Sequence, residues 1–288
     1  MTAADQLRSL LAQPGVRVMP GCFDALSAAL VRRAGYPVTF MSGFSVSAAR
    51  LAEPDTGLIS FGEMLDSLRG VCAAASPDTI VIADGDTGYG NALNVRRTVR
   101  EYARAGAGAV MIEDQVSPKR CGHTRGKQVV SRGEARMRIR AAVDARGTDD
   151  ILIMARTDAR AVHGFEDALE RCHDFVAEGA DIIFLEAPES VEEMRRFCAE
   201  IPRPTMANMI DGGKTPILPP AELAAIGYRL AAYPLVLLSA AIAAMMQALA
   251  ALRPDATTAR PPELTFEALQ GVVGFPDYWA AEQHYKVD

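Results

Sequence analysis

Eight short apolar runs, each followed by a stretch with helical spacing, leave this chain few ways to fold. The runs are Val16–Pro20, Val38–Met41, Thr79–Ala83, Ala109–Ile112, Ile151–Ala155, Asp181–Leu185, Pro204–Ala207 and Arg229–Ala232. They are rich in Val and Ile, lack strict apolar–polar alternation and are too short for helices, as strands buried on both faces of a parallel sheet are. Between them, Asn94–Ala105 sets Val95, Val99 and Tyr102 on one side, and Phe165–Ala177 and Val191–Glu200 behave similarly. Gly35, Gly106 and Gly179 each stand just before a strand, where helix C-caps fall. Strand then helix, repeated eight times in 288 residues, predicts an α/β fold of the (β/α)8 TIM-barrel type in preference to an open doubly wound sheet.

With no low-complexity linker, residues 1–288 read as a single barrel domain. The most apolar stretch, Leu235–Leu252, is Ala-rich and contains Gln247, so a buried helix is expected there rather than a membrane span. After Arg253 the chain is Pro-rich, then amphipathic, and it ends in Phe275, Tyr278, Trp279 and Tyr285. This tail, about 254–288, is expected to pack on a partner subunit, with its own barrel as the alternative. The N-terminus lacks a basic start and long apolar run, and the five cysteines are scattered without metal-ligand spacing, so a reduced cytoplasmic setting is expected.

In parallel barrels the chemistry sits where the strands end. There the runs deliver Ser42-Gly43, Asp84-Gly85-Asp86, Glu113-Asp114-Gln115, Arg156-Thr157-Asp158, Glu186 and Asn208. Gathering such groups in one crevice is costly without a ligand to satisfy them. Asp84, Asp86 and Glu113, with Asp55, form a carboxylate cluster whose all-oxygen character favours Mg²⁺ or Mn²⁺ over zinc. Asp84 and Asp86, two apart, would share a face of a continuing strand. The competing readings are Asp86 as a turn cap and Glu113 in an ion pair with Arg156. The glycines of 85–90 read as room for metal and substrate, because no Lys-Ser/Thr follows them as a phosphate loop requires.

The net charge of −6 disfavours nucleic acid and anionic membranes as partners, yet an acidic protein that binds an anion must concentrate its cations. Lys119-Arg120-Cys121-Gly122-His123, with Arg125 and Lys127, does so in one loop. Flanking positive charge favours the thiolate of Cys121, and Gly122 permits a turn that brings His123 toward the same ligand. The competing reading is an exposed basic loop with an incidental thiol. His163, His173 and His284 read as surface or packing residues, and Cys22, Cys72, Cys172 and Cys198 as inert filler.

Taken in order, Ser42-Gly43-Phe44, Glu53-Pro54-Asp55, Asp84-Gly85-Asp86-Thr87-Gly88-Tyr89-Gly90, Glu113-Asp114-Gln115, Lys119-Arg120-Cys121-Gly122-His123, Arg156-Thr157-Asp158-Ala159 and Asn208 resemble the isocitrate lyase/phosphoenolpyruvate mutase superfamily. The resemblance covers about residues 15–250 and is greatest to the branch containing 2-methylisocitrate lyase, 2,3-dimethylmalate lyase and oxaloacetate hydrolase. It implies an Mg²⁺-dependent carbon–carbon lyase acting on a 2-hydroxy di- or tricarboxylate and releasing an α-keto acid plus a second carboxylic acid. It also implies a barrel whose last helix is exchanged between subunits, in a homotetramer.

By the same resemblance Asp84 and Asp86 would hold the metal, with Asp55 and Glu113 acting through water. Ser42, Gly43 and neighbouring Phe44 would bind the keto-acid carboxylate with Arg156. Lys119, Gly122, His123 and Asn208 would face the second carboxylate, Glu186 the reacting hydroxyl, and Cys121 would be the acid/base. The pattern departs at Tyr233-Pro234-Leu235, which Val236-Leu237-Leu238-Ser239 follows, with no Arg before Arg253 to pair a third carboxylate. Phe40 likewise replaces a Tyr before Ser42. A dicarboxylate with an alkyl substituent is therefore expected, with Leu237 and Leu238 shaping the pocket for a methyl group. The alternatives are an oxaloacetate hydrolase or decarboxylase, a phosphonopyruvate enzyme on the same scaffold, and a non-catalytic keto-acid binder.

Overall fold

The computed structural model describes residues 1–121, 126–147, 150–257 and 259–286. Its strands are β1 (Arg17–Cys22), β2 (Val38–Met41), β3 (Ile80–Asp84), β4 (Ala109–Glu113), β5 (Leu152–Thr157), β6 (Ile182–Leu185), β7 (Met206–Asn208) and β8 (Leu230–Tyr233). The helices are α1 (Ala3–Ala12), α2 (Ala25–Arg33), α3 (Gly43–Leu51), α4 (Phe61–Ala75), α5 (Ala92–Arg104), α6 (Arg132–Arg146), α7 (Arg160–His163), α8 (Phe165–Ala177), α9 (Val191–Glu200), α10 (Pro220–Ile226), α11 (Val236–Ala251), α12 (Phe266–Val273) and α13 (Phe275–His284). All neighbouring strands are parallel in the order β6-β5-β4-β3-β2-β1-β8-β7. A single parallel bridge, Ile183 to Thr205, joins the two ends, so the sheet is the expected (β/α)8 barrel.

Each strand alternates between two cores. Cys22, Met41, Val81, Val110, Ile153 and Ile183 pack outward among the helices. Val38, Phe40, Ile80, Ile82, Met111, Met154, Phe184 and Met206 point inward and fill the barrel axis. Both sets are apolar because both faces are covered, which is why no alternation is visible in the sequence. β3, β4, β5 and β7 extend one or two residues beyond the apolar runs and take Asp84, Glu113, Arg156 and Asn208 into the strands themselves. These polar side chains do not stop a strand, because they continue its inward face, where partners await them.

The sequence reading missed α1, which serves as a plug. Ala4, Leu7 and Leu11 pack with the inward layer, and Thr2 closes the helix start with a capping box. Arg8 grips Asp150, ahead of β5, through Nη1 and Nη2 at 2.9 and 2.6 Å, and Thr2 Oγ1 donates to the same carboxylate at 2.7 Å.

Residues Met1–Leu237 and Leu238–Asp288 are two compact units. In the second, α12 and α13 meet at Gly274, and the rings of Phe275 and Trp279 lie 5.6 Å apart. The expected buried helix over Leu235–Leu252 is not buried within this chain. Of α11 only Leu238 is buried, while Ile242, Met245, Met246 and Leu249 are exposed. Among the described residues no helix is long and apolar enough to cross a membrane.

The Arg8 contact holds the Asp150 carboxyl at about 2, below its ordinary value, chiefly through the hydrogen bond. A depressed carboxylate contributes stability above its unfolded value and loses it as pH falls. Solvent screening at this partly exposed pair limits the effect. Asp150→Asn is expected to cost under about 1 kcal/mol near neutrality, a difference that fades between pH 4 and pH 2. Urea midpoints of the two proteins across that range check it.

Candidate active site

The inward faces of β2 to β7 each end in a residue that the axis can no longer bury among apolar neighbours. Two positions after Phe40, Ile82, Met111, Met154, Phe184 and Met206 come Ser42, Asp84, Glu113, Arg156, Glu186 and Asn208. The two-residue repeat of a strand therefore stands these six on one ring above an apolar floor. Five of the six, all but Glu113, line a cavity together with Phe44, Asp55 and Cys121. Phe40, Phe184, Met206, Ile210, Ala232, Pro234 and Leu235 complete the wall.

Of the residues picked from sequence, Ser42, Phe44, Asp55, Asp84, Cys121, Arg156, Glu186 and Asn208 line this cavity, whereas Gly43, Asp86, Glu113 and Lys119 do not. Asp84 and Asp86 do not share a strand face. β3 ends at Asp84, and Asp86 takes a left-handed conformation (φ 48°) that brings its backbone N–H to Asp84 Oδ1 at 3.0 Å. Gly43 lies beneath this pair, and its N–H donates to Asp84 Oδ2 at 3.1 Å. A Cβ there would meet Asp84 Oδ2 at 2.6 Å. Gly85 makes room for β4 rather than for a ligand, since its Cβ would strike Met111 O at 2.7 Å. Leu235, not Leu237 or Leu238, lines the pocket.

Lys119 points inward. Its Nζ lies 2.5 Å from Asp55 Oδ1 and 2.9 Å from Asp86 Oδ1. Burial opposes its charge, but Asp86, Asp84 and Asp55 outweigh burial and hold Lys119 well above its ordinary value. Burial pushes Asp86 up to about 6 against the pull of Lys119. Glu113 is driven well above the carboxylate range, again by burial, although Arg156 Nε lies 3.2 Å away. That ion pair was the competing reading for Glu113, and it coexists with an unbonded Oε1 on the same carboxylate.

Charge balance shows what these groups fit. Asp55, Asp84, Asp86, Glu113, Asp158 and Glu186 are buried beside Lys119, Lys127 and Arg156, six acids against three cations. Buried carboxylates in excess must take up protons or a further cation. The orphaned Oε1 of Glu113 and the neighbouring carboxylates of Asp55, Asp84 and Asp86 offer hard oxygen donors for a divalent ion. Among the described residues no three acidic, imidazole or thiol groups already form a closed cage. An open set still suits Mg²⁺, which keeps several waters and takes one or two carboxylates directly.

The loop bearing Cys121 is pinned by a residue that the sequence reading assigned no role. Gln115 Nε2 donates to Arg120 O at 2.8 Å, and its Oε1 accepts from Arg120 N at 3.0 Å. Both backbone groups of the residue before Cys121 are thus held. Gly122 and His123 lie outside the described residues. His163, His173 and His284 are exposed, as expected. Burial pushes Cys22 and Cys72 up to about 12 and Cys198 to about 11, which keeps those thiols protonated.

The phosphoenolpyruvate phosphomutase family matches residues 7–253. The chain belongs to this family, within the PEP mutase/isocitrate lyase superfamily. It is 44% identical to 2,3-dimethylmalate lyase of Eubacterium barkeri over 99% of both chains. Among solved structures it resembles an oxaloacetate acetylhydrolase bound to 3,3-difluorooxalacetate, with a TM-score of 0.94, 34% identity, and 98% of this chain and 97% of that one covered. A phosphonopyruvate hydrolase complexed with oxalate and Mg²⁺ superposes with a TM-score of 0.84 at 26% identity over 99% of each.

Gly43→Ala tests the seat of the acidic pair. Its methyl group must displace the Asp84 carboxylate, so Mg²⁺ affinity by titration calorimetry is expected to fall roughly 10–100-fold, as for loss of a supporting contact to a metal ligand. Circular dichroism should be unchanged.

Proposed function

We propose that the protein is an Mg²⁺-dependent carbon–carbon lyase that cleaves a 2-hydroxy dicarboxylate carrying an alkyl substituent into an α-keto acid and a second carboxylic acid. One observation carries this reading: Cys121, Arg156, Glu186, Asp84 and Asp55 border one cavity. The likeness to 2,3-dimethylmalate lyase over nearly the whole chain supports it.

In this proposal Asp84 and Asp86 hold Mg²⁺, with Asp55 and Glu113 acting through water. When bound, the ion supplies Lewis-acid neutralisation of charge developing on oxygen. Arg156 and Ser42, with the Gly43 and Phe44 end of α3, bind the carboxylate of the nascent keto acid. Glu186 receives the hydroxyl proton as the carbinol becomes a ketone and the bond to the next carbon breaks. The electron pair left on that carbon is taken up by a proton from Cys121, and the resulting thiolate is stabilised by the surrounding cations. His123 and Asn208 face the second carboxylate. Lys119, which lies against Asp55 and Asp86, offsets charge on the metal side of the cavity instead.

The dicarboxylate preference rests on the far wall. There Ile210, Ala232, Pro234 and Leu235 line the cavity, and none of these four carries a charge. Burying a third carboxylate there would leave it unpaired, whereas a methyl group gains from contact.

The similarity to oxaloacetate acetylhydrolase favours hydrolysis of oxaloacetate as the second reading, distinguished by its products, oxalate and acetate. A decarboxylase, a phosphonopyruvate enzyme and a non-catalytic keto-acid binder remain further alternatives. We also propose a cytoplasmic homotetramer in which the tail, about 254–288, engages a partner subunit. The exposure of Phe266, Leu269, Phe275 and Trp279 supports an oligomer.

Cys121→Ser is expected to lower cleavage by roughly 10²–10⁴-fold, the range for loss of a general acid, with Mg²⁺ binding intact. Retained turnover would remove the thiol from the mechanism. In a coupled keto-acid assay, 2,3-dimethylmalate is expected to be turned over with a higher kcat/KM than 2-methylisocitrate. The reverse order would refute the dicarboxylate preference.

A further inference from the structure

Arg156 is held by more than the acids of the cavity. Its Nε and Nη2 form a fork on Asp158, at 2.8 Å to Oδ2 and 3.1 Å to Oδ1. Nη2 also reaches Glu186 at 3.1 Å, and Nε lies 3.2 Å from Glu113. Asp158 is fully buried and anchored from behind, since its N–H donates to Asp114 Oδ1 at 2.9 Å. Thr157 Oγ1 and Arg171 Nη1 both donate to Asp114 Oδ2, at 2.7 and 3.1 Å. The remaining contact comes from the loop. Lys127 Nζ donates to Asp158 Oδ1 at 2.6 Å, and its side chain is only 3% exposed. Two cations thus share one oxygen of a carboxylate that water does not reach.

From this geometry we infer that Lys127 is a positioning residue: by sharing Asp158, it sets how far Arg156 is withdrawn from the cavity that it lines and so presents the guanidinium to the ligand carboxylate. With Lys127 in place, Asp158 is neutralised partly by the ammonium, and Arg156 keeps capacity for a second anion. Without it, the buried charge of Asp158 has Arg156 as its counterion and competes with the ligand for the guanidinium. The inference rests on the proposed role of Arg156 in carboxylate binding. It adds a residue beyond the basic Lys-Arg-Cys-Gly-His run, on the returning leg of the same loop.

The test is calorimetric titration of oxalate in the presence of Mg²⁺, on wild-type protein and Lys127→Met. Wild-type protein is expected to bind oxalate. Lys127→Met is expected to bind it roughly 10–100-fold more weakly, as for loss of an outer partner, with Mg²⁺ affinity unchanged. With a cleaved substrate, KM rises in parallel and kcat changes less. Lys127→Arg, which restores a cation beside Asp158, recovers most of the affinity. Equal oxalate affinity in wild type and a folded Lys127→Met overturns the inference and leaves the lyase reading standing. Failure of wild-type protein to bind oxalate removes the carboxylate site itself, and this inference with it. If Lys127→Met does not fold, Lys127→Gln, which keeps a donor for Asp158, takes its place. Loss of fold in both overturns positioning in favour of a purely structural tie.

Discussion

The axis of the barrel is filled by side chains, and the functional ring stands on that filling. Phe40, Ile82, Met111, Met154, Phe184 and Met206 occupy the centre, and α1 seals the layer from the other side. Because the layer excludes water, the polar residues one step above it work in a low dielectric, where ion pairs strengthen and uncompensated charge is costly. The rise of Asp86 and Glu113, and the hold of Asp86 and Asp55 on Lys119, are consequences of this one packing decision.

Several backbone devices then aim the ring. The start of α3 turns a glycine N–H on Asp84, and the left-handed residue Asp86 bends the chain back toward the same point. Ala187, just after Glu186, is also left-handed (φ 58°), and its N–H donates to Glu186 Oε1 at 3.0 Å. Non-glycine residues in this region carry strain and persist where the surroundings hold them. Here they follow two of the inward acids, where the chain must leave its strand while a carboxylate stays fixed. The Gln115 clamp on Arg120 does the same for the thiol by fixing the peptide before it.

Much of this was legible beforehand. The βα rhythm gave the barrel, and Phe165–Ala177 and Val191–Glu200 are helices with the boundaries read from spacing alone. Ser42, Asp84, Arg156, Glu186 and Asn208 could be picked out because they follow the apolar runs where barrel chemistry sits, and Cys121 because cations flank it. Lys127, Asp158 and Gln115 were passed over as supports because their partners are distant in sequence: Lys127 and Asp158 are separated by 31 positions. The misreading of Leu235–Leu252 has a similar cause, since composition says that a helix is apolar but not which surface covers it.

The sequence by itself determined the repeat, the strand and helix positions and the inventory of chemical groups at the strand ends, because these follow from local periodicity and residue type. Only the tertiary structure decided which face of each strand turns inward, since both faces are apolar and the choice depends on closing the sheet. It also decided the pairings. Lys119 lies against Asp55 and Asp86 rather than in solvent, and Arg156 is divided among Glu113, Asp158 and Glu186, because charges buried together must settle with the nearest partners that eight converging strands bring within reach.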